Sequence, residues 1–227
     1  MRRTHHIAAG MLAVLTATLT ACAGSAGPAA PAPMTAPMAA PMAAPMTPAP
    51  AADGVTTNAD VFGPACNKLP QGNAPGSLNN MGPQPVANAA STNPLLATLV
   101  TAVGKVPGLA DTLNAQEGIT VFAPYNGAFD AVKAGIGDQA FKKLLGNPTQ
   151  LGGLLSYHVV PKRYDAAGLV AAGKTTELAG GQLTIGGTPD ALTVTDGKGN
   201  TAAVLCGNIP TSNATVFVID KVLMPAG

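Results

Sequence analysis

The stretch TVFAPYNGAF, residues 120–129, decides the fold of this chain. The run from Ile119 to Phe122 is rich in strand-forming residues and is soon followed by Pro124, which predicts a strand. The residues that follow, among them Asn126 and Gly127, are of the types that bound strands. The stretch is therefore expected to contain the end of a strand.

The segments around this stretch predict helices first and short strands afterwards. Asn93-Pro94 and Asn147-Pro148 each place a capping side chain before a proline at the first helical position. Further β-rich runs bounded by Gly, Pro, Asp or Asn predict strands at residues 158–160, 182–185, 192–195, 202–205 and 215–219. This order predicts an α+β fold, because parallel nucleotide-binding sheets alternate strands and helices regularly.

The sequence GLVAAGKT, residues 168–175, matches the phosphate-binding pattern G-x-x-x-x-G-K-[ST]. A phosphate-binding loop needs the order strand, loop, helix, so that backbone amides face the anion. Here the order is reversed, because Asp165 is placed to cap a short helix over residues 166–172 and Gly173 suits the left-handed position that ends it. The sequence therefore predicts no nucleotide site.

The charge balance argues against a nucleic-acid partner. Removal of a signal peptide with Arg2 and Arg3 lowers the count of Lys and Arg from 12 to 10, against 11 Asp and Glu, a net charge of −1. The remaining basic residues stand singly or in pairs, and the chain has no Trp on which bases could stack.

No group of residues predicts catalysis or metal binding. His158 is the only histidine after residue 21, and Ser156 on the same strand rarely reaches such a ring at hydrogen-bond distance. We therefore expect core hydrogen bonds to hold His158. Residues 196–200 hint at a calcium loop but lack its characteristic Gly and Glu, so they are interpreted as a hairpin turn. The sequence predicts no catalytic residue, no metal and no cofactor.

Three segments in fixed order resemble a known family. They are TVFAPYNGAF at residues 120–129, SYHVV at 156–160 and ATVFVIDKVLMP at 214–225, and they resemble the first conserved block, the Tyr-His block and the second conserved block of the fasciclin domain. The resemblance covers about Pro85 to Pro225. It implies a single fasciclin domain with an N-terminal extension over residues 61–227, with N-terminal helices and a wedge-like sheet of short strands.

The blocks also identify residues expected to carry the fold. Tyr157 and His158 form the Tyr-His pair of the second segment. Tyr125 stands where the family usually has Thr, which leaves Asn126 as the expected cap of the following helix. Phe217 stands where the family often has His, so a strand that should be buried loses a polar group.

Residues 1–21 resemble a bacterial lipoprotein signal peptide. Two arginines precede an apolar stretch from Ile7 to Leu19 that is too short to span a bilayer permanently. The tetrad Leu19-Thr20-Ala21-Cys22 resembles a lipobox, which implies cleavage before Cys22 and diacylglycerol on its thiol. The alternative is a plain secretory signal cut near Ala23 or Ala26. We expect the chain on the extracellular side of the cell membrane, anchored by lipid, or shed or secreted.

Residues 22–60 are predicted to form a disordered linker. The near-repeat APMTAPMAAPMAAPMTPAPAA at residues 32–52 has no helical or strand period, and its prolines block helix hydrogen bonds. Its methionines could instead bind copper through soft thioether sulfur. Related mycobacterial lipoproteins carry mannose on paired threonines in such linkers, which makes Thr56 and Thr57 candidate glycosylation sites, with weaker candidates at Thr35 and Thr47.

The chain has three cysteines, and lipid on Cys22 leaves two in an oxidising compartment. We therefore expect Cys66 and Cys206 to form a disulfide. This bond would tie the N-terminal end of the domain to the penultimate strand.

The overall arrangement is most similar to the fasciclin-type surface lipoproteins and secreted antigens of mycobacteria. The resemblance implies a non-enzymatic surface module that acts in adhesion or binds a host-cell receptor or envelope component. Innate lipoprotein receptors would recognise the acylated Cys22. One alternative is a structural role that holds the domain against cell-wall glycan or lipid, and a third is an enzyme of unknown type.

Asn208 and Ile209 are candidate partner-binding residues by the same resemblance. Animal fasciclin domains that bind integrins carry an Asp-Ile pair just before the second block, and these two residues occupy that place. Asparagine lacks the negative charge that a hard divalent cation prefers. Integrin binding through Asn208 is therefore expected to be weak.

Overall fold

A computed structural model describes residues 53–226, and eight α-helices and seven strands lie in this range. The helices are α1 (Leu78–Met81), α2 (Val86–Thr92), α3 (Ala97–Gly104), α4 (Leu109–Ala115), α5 (Asn126–Ile136), α6 (Asp138–Leu145), α7 (Pro148–Ser156) and α8 (Ala166–Ala172). The strands are β1 (Ile119–Pro124), β2 (Val159–Val160), β3 (Lys174–Thr176), β4 (Gln182–Thr188), β5 (Ala191–Thr195), β6 (Thr201–Pro210) and β7 (Ala214–Ile219). The α+β fold class is confirmed.

The strands form one sheet in the order β2-β1-β7-β6-β5-β4-β3. β1 and β7 pair in parallel, with Phe122 opposite Phe217, and every residue of both strands is buried. The other neighbouring strands are antiparallel. Beyond β3, the Leu178 N–H donates to the Val159 carbonyl of β2 at 2.8 Å, so the two ends of the sheet approach each other.

Side chains of the central strands alternate between two apolar clusters, as the pleat of a strand requires. Val121 and Val216 belong to the cluster that the helices α1 to α7 cover. Phe122 and Phe217 belong to the second cluster, which α8 covers, and their ring centroids lie 5.7 Å apart. The aromatic ring that replaces the family's histidine at position 217 is therefore fully buried.

Several predicted helix ends are confirmed. Asn93 and Asn147 cap the helical turns that begin at the following prolines. Asp165 accepts a hydrogen bond from the Gly168 N–H at the start of α8, and Gly173 ends this helix with φ of 64°. Since Gly173 follows a helix and precedes β3, the phosphate-pattern residues have the reversed order that the sequence predicted.

The prediction that Asn126 caps its own helix is wrong. The cap position of α5 is Tyr125, and no side chain bonds to the first turn. Asn126 instead accepts a hydrogen bond from the Thr98 N–H at 3.0 Å and donates to the Pro94 carbonyl at 2.9 Å. The Thr98 N–H is one of the first N–H groups of α3, which have no partner inside the helix, so the Asn126 amide joins α5 to the start of α3.

The sequence placed the start of the folded domain at Val61. In the structure the folded part of the chain begins earlier. The Thr215 hydroxyl donates to the Gly54 carbonyl at 2.8 Å. A Cβ on Gly54 would lie 2.6 Å from the Arg163 carbonyl carbon, and φ at Gly54 is 70°, so this close approach requires glycine. Residues 53–60 therefore pack on the domain.

This packing corrects the expectation that Thr56 and Thr57 lie in an exposed, unfolded stretch. The Thr56 side chain is buried, with 7% of its surface exposed. Thr57 is exposed, but its hydroxyl accepts from the Ala59 N–H and donates to the Asp60 carboxylate at 2.7 Å, where it caps a 3-10 helix at Asn58–Asp60.

The predicted disulfide between Cys66 and Cys206 is confirmed, with the Cα atoms 5.0 Å apart. Next to it, Phe62 and Gly207 exchange two backbone hydrogen bonds. The N-terminal segment is thus joined to β6 by the disulfide and by several hydrogen bonds, which include one from the Ala65 N–H to the Leu205 carbonyl at 2.9 Å.

The remaining N-terminal predictions lie outside the described residues. They are the signal peptide, the lipid on Cys22, the methionine repeat and the weaker glycosylation sites Thr35 and Thr47. Within residues 53–226, no helix has the length and apolar composition needed to cross a membrane.

Candidate functional site

An apolar cavity of about 240 Å³ lies between the helices α2, α3 and α4 and the strands β1 and β2. Its floor belongs to the buried core, and most of the floor is aliphatic. The floor residues are Val86, Leu99, Leu113, Val121, Phe122, Leu155, His158 and Val159.

Small residues keep the mouth of this cavity open. Ala87 and Ala90 lie on α2, Gly104 ends α3 and Ala110 lies on α4, and all four are at least partly exposed. Side chains this short cannot fill the space between three helices. The opening is therefore a direct consequence of residue size at these four positions.

Two polar side chains, Asn88 and Ser91, lie at the rim. The side-chain oxygen of Asn88 accepts a hydrogen bond from the side-chain amide of Asn114 at 3.2 Å. The Ser91 hydroxyl donates to the backbone carbonyl of Asn88 at 2.6 Å. Within residues 53–226, Nδ2 of Asn88 has no hydrogen-bond partner. The rim can therefore donate a hydrogen bond to a bound molecule.

Asn213, in the turn between β6 and β7, fixes the distance between two walls of the cavity. Its side-chain oxygen accepts from the Val86 N–H at the start of α2 at 2.9 Å. Its side-chain nitrogen donates to the Leu113 and Gln116 carbonyls at the end of α4, at 2.8 and 2.7 Å. One buried amide thus satisfies backbone groups of both helices that would otherwise be unpaired.

His158 lies on the cavity floor and is held as the sequence predicted. Its Nδ1–H donates to the Leu154 carbonyl at 2.7 Å, and its Nε2 accepts from the Leu223 N–H at 2.9 Å. Burial lowers the pKa of His158 to about 4, against the opposing effects of the Leu154 bond and the Asp196 charge. Because both ring nitrogens are occupied and the ring is neutral, His158 cannot exchange a proton with a bound molecule.

The neighbouring Tyr157 ties the same block to the hairpin at residues 196–200. Its hydroxyl accepts from the Gly197 N–H at 2.7 Å, and burial raises the pKa of Tyr157. Burial alone would raise the pKa of Asp196, but bonds from Met224, Asn200 and Lys198 outweigh it and lower that pKa. Tyr157 and His158 therefore hold the hairpin and the C-terminal residues against the sheet.

Asn208 and Ile209 do not form a contact surface, which corrects the sequence expectation. They are 8% and 1% exposed, inside β6 where the register with β7 shifts. Asn208 has a left-handed φ of 57°, accepts from the Ala166 N–H at 2.9 Å and donates to the Asp60 carbonyl at 3.0 Å. Asn208 bonds to the packed N-terminal segment through Asp60, and Ile209 belongs to the apolar cluster that α1 to α7 cover, so neither can reach a partner in the folded domain.

A polar cleft lies near the apolar cavity. It is lined by Asp53, Asn114, Glu117, Arg163 and Ser212, among others. Burial lowers the pKa of Arg163, and the nearby negative charge of Asp53 partly offsets this decrease. Asn114 contributes to this cleft and to the rim contacts of the cavity. Among residues 53–226, no three His, Cys, Asp or Glu side chains lie close enough to hold a metal ion.

Sequence reasoning missed the cavity and Asn213. Apolar residues at helical spacing indicate core whether or not the core is completely filled, so Leu99 and Leu113 carry no signal of an opening. The four small residues at the mouth were the available signal. They gain meaning only once three helices are known to meet there.

Known sequences match this chain over the folded domain described above. The sequence model of the fasciclin domain matches residues 94–225. The chain is 42% identical over 178 residues to "Cell surface glycolipoprotein MPB83" of Mycobacterium bovis, which covers 74% of this chain and 73% of that protein. It is 41% identical over 182 residues to "Immunogenic protein MPB70" of the same species, which covers 78% and 86%. "Protein sll1483" of Synechocystis is 38% identical over 142 residues, which covers 62% and 73%.

Proposed function

The chain belongs to the fasciclin domain family, and on that premise we propose that it is a lipid-anchored, non-enzymatic surface module that binds a host or envelope partner. Two relatives that share about two fifths of their residues with it are named a cell surface glycolipoprotein and an immunogenic protein. Those names support a surface location for this fasciclin-domain protein. The lipobox at Cys22 supports the lipid anchor.

The single observation that carries the binding role is the chemistry of the cavity. It is open and apolar, and His158 is the only titratable side chain in its lining. That side chain is neutral and bonded at both nitrogens. Such a site has groups that can hold a molecule and none placed to transfer a proton or attack a bond.

The anchor and the linker complete the proposal. Acylated Cys22 would be recognised by innate lipoprotein receptors, while the linker lifts the domain from the membrane. Thr57, Thr35 and Thr47 remain proposed glycan sites, and intact-mass measurement of protein from the native host, with peptide mapping, tests for hexose on them. Burial of the Thr56 hydroxyl makes Thr56 a poor acceptor in the folded domain.

The partner class is tested by capture. The full chain carrying Cys22→Ala, which removes the predicted lipid, is immobilised and exposed in parallel to host-cell extract and to isolated cell wall. Saturable retention of a defined host protein, displaced by the free chain, is expected for a host-binding module. No displaceable retention from either material contradicts the binding role.

A second candidate function is structural, with the domain held against envelope glycan or lipid. The apolar cavity favours lipid within this alternative, since hydrocarbon is the material that such a lining stabilises. In the capture experiment, this candidate predicts that the chain binds isolated cell wall in the absence of host-cell extract. Binding that is lost after the cell wall is extracted with organic solvent supports lipid as the partner. Retention that survives extraction points to glycan.

A further inference from the structure

The cavity floor offers no hydrogen-bonding group to a ligand. Both nitrogens of His158 are already bonded, and the other floor residues are aliphatic or, at Phe122, aromatic. A polar group placed there would lose its bonds to water without replacement. The part of a ligand that enters the cavity must therefore be hydrocarbon.

The size of the cavity suits a chain better than a small solute. Apolar cavities of about 150 Å³ in proteins stay dry and bind benzene. At about 240 Å³, this one has room for a longer hydrocarbon, and its mouth is open to solvent. One end of an alkyl chain can be buried while the other end emerges at the mouth between the three helices.

The rim defines the chemistry of the emerging end. Asn88 has an amide N–H group without a partner in the described part of the chain, and it can donate to a carbonyl or hydroxyl oxygen. No Lys, Arg, Asp or Glu is among the residues that line the cavity. The rim therefore has nothing to balance an ionised head group.

From these contacts we infer that the cavity binds one saturated alkyl chain whose polar end is an uncharged ester, amide or hydroxyl group, as in a monoacylglycerol. The inference rests on the second candidate function, binding of envelope lipid, and names its ligand class. One wall of the site comes from α2 at Val86–Thr92, which lies outside the fasciclin match at residues 94–225. The site is thus partly built from residues that precede the matched segment.

The linker of this chain is the competing occupant. The described chain starts at Asp53 in the polar cleft, and Asn114 joins that cleft to the cavity rim. Methionine side chains adapt to irregular apolar spaces, and the linker ahead of Asp53 contains several methionines. The alkyl chain is favoured because the deep floor is continuous with the core and a single thioether side chain would leave much of it empty.

The test is calorimetric titration of the full chain carrying Cys22→Ala with 1-decanoylglycerol, with decanoate and glycerol in parallel arms. We expect one saturable site for 1-decanoylglycerol, weaker binding of decanoate and none of glycerol. Shortening the acyl chain by one methylene should weaken binding about fourfold while the chain still fits inside.

A matched pair of variants places the site. A Cβ on Gly104, at the mouth, or on Gly135, on α5 away from the cavity, would meet no atom within 4 Å, so both positions have space for a side chain. Gly104→Phe should occupy the mouth and weaken binding more than about tenfold, the cost of displacing two methylenes. Gly135→Phe should leave binding unchanged. Asn88→Asp should weaken binding of decanoate more than that of the ester.

The outcomes are distinct. Absence of saturable 1-decanoylglycerol binding, or equal binding by Gly104→Phe and Gly135→Phe, overturns the inference. Binding that appears only after the linker methionines are replaced by Ala also overturns it and assigns the cavity to the linker. If titration fails while extraction-resistant retention on cell wall persists, the structural candidate stands with glycan as its partner, and only the alkyl-chain site is lost.

Discussion

The side-chain oxygen of Asn213 accepts a hydrogen bond from the Val86 backbone N–H at 2.9 Å, across a separation of 127 residues. Through its nitrogen the same amide group holds the Leu113 carbonyl. The turn between β6 and β7 therefore sets the position of α2 relative to α4, and with it the width of the apolar cavity.

Replacing Asn213 by Asp tests this role. The carboxylate keeps the acceptor for Val86 but loses the donor to the carbonyls of Leu113, Asn114 and Gln116, so three carbonyls lose this partner. We expect a loss of about 2–3 kcal/mol in the free energy of unfolding. Asn58→Asp is the matched control, because Asn58 is exposed, and it should change stability by less than about 0.5 kcal/mol. Urea denaturation of both variants measures the difference, and equal effects would contradict the assigned role.

The lowered pKa of His158 predicts that the stability of the folded chain depends on pH. Its pKa is lowered to about 4 in the folded chain, so the unfolded chain binds more protons between pH 6.5 and 4. The stability that comes from the neutral ring is complete above pH 6.5 and is lost as the pH falls towards 4, by about 3 kcal/mol in total.

Denaturation curves collected across this pH range, with His158→Gln as the control, measure the effect. Carboxylates also titrate near pH 4, so the comparison is the slope of stability against pH from 6.5 to 5. His158→Gln should have a flatter slope in that window. The same slope in both proteins would show that His158 is not the group responsible.

The disulfide should contribute strongly to stability because Cys66 and Cys206 are separated by 140 residues. By loop-closure entropy, its loss destabilises the folded chain by about 4–5 kcal/mol as an upper value. The double variant Cys66→Ser, Cys206→Ser should show this loss and should not respond further to a reducing agent. Thiol labelling of both cysteines in the unreduced wild-type protein would contradict the bond.

The buried position of Asn208 reverses the adhesion argument that the sequence suggested. An aspartate at position 208 would supply the charge that a divalent cation prefers, but Asn208→Asp removes the donor to the Asp60 carbonyl and buries a carboxylate in its place. We expect it to destabilise the domain by about 1–3 kcal/mol and to add no cell attachment that chelation abolishes. Attachment that rises with Asn208→Asp and needs divalent cation would show that this residue is accessible.

Local signals predicted most of the fold. Strand-rich runs and capping residues gave β1, β7 and α8 because these elements follow from neighbouring residues. The prediction of a helix cap at Asn126 was wrong because its amide bonds to a helix distant in sequence, which no local pattern encodes. The prediction of a contact surface at Asn208 was wrong because the segment covering this residue begins at Asp53, ahead of the predicted domain boundary. The cavity depends on how three helices meet, so it could not be predicted from any one of them.

The most direct test of the central claim, that a lipid on Cys22 holds this fasciclin domain at the cell surface, is detergent phase partitioning of the chain from intact cells, with intact-mass measurement. The wild-type chain should enter the detergent phase, begin at Cys22 and carry the mass of a diacylglycerol group, while Cys22→Ala should enter the aqueous phase. A wild-type chain that begins near Ala23 or Ala26, lacks added lipid mass and partitions into the aqueous phase would contradict the claim.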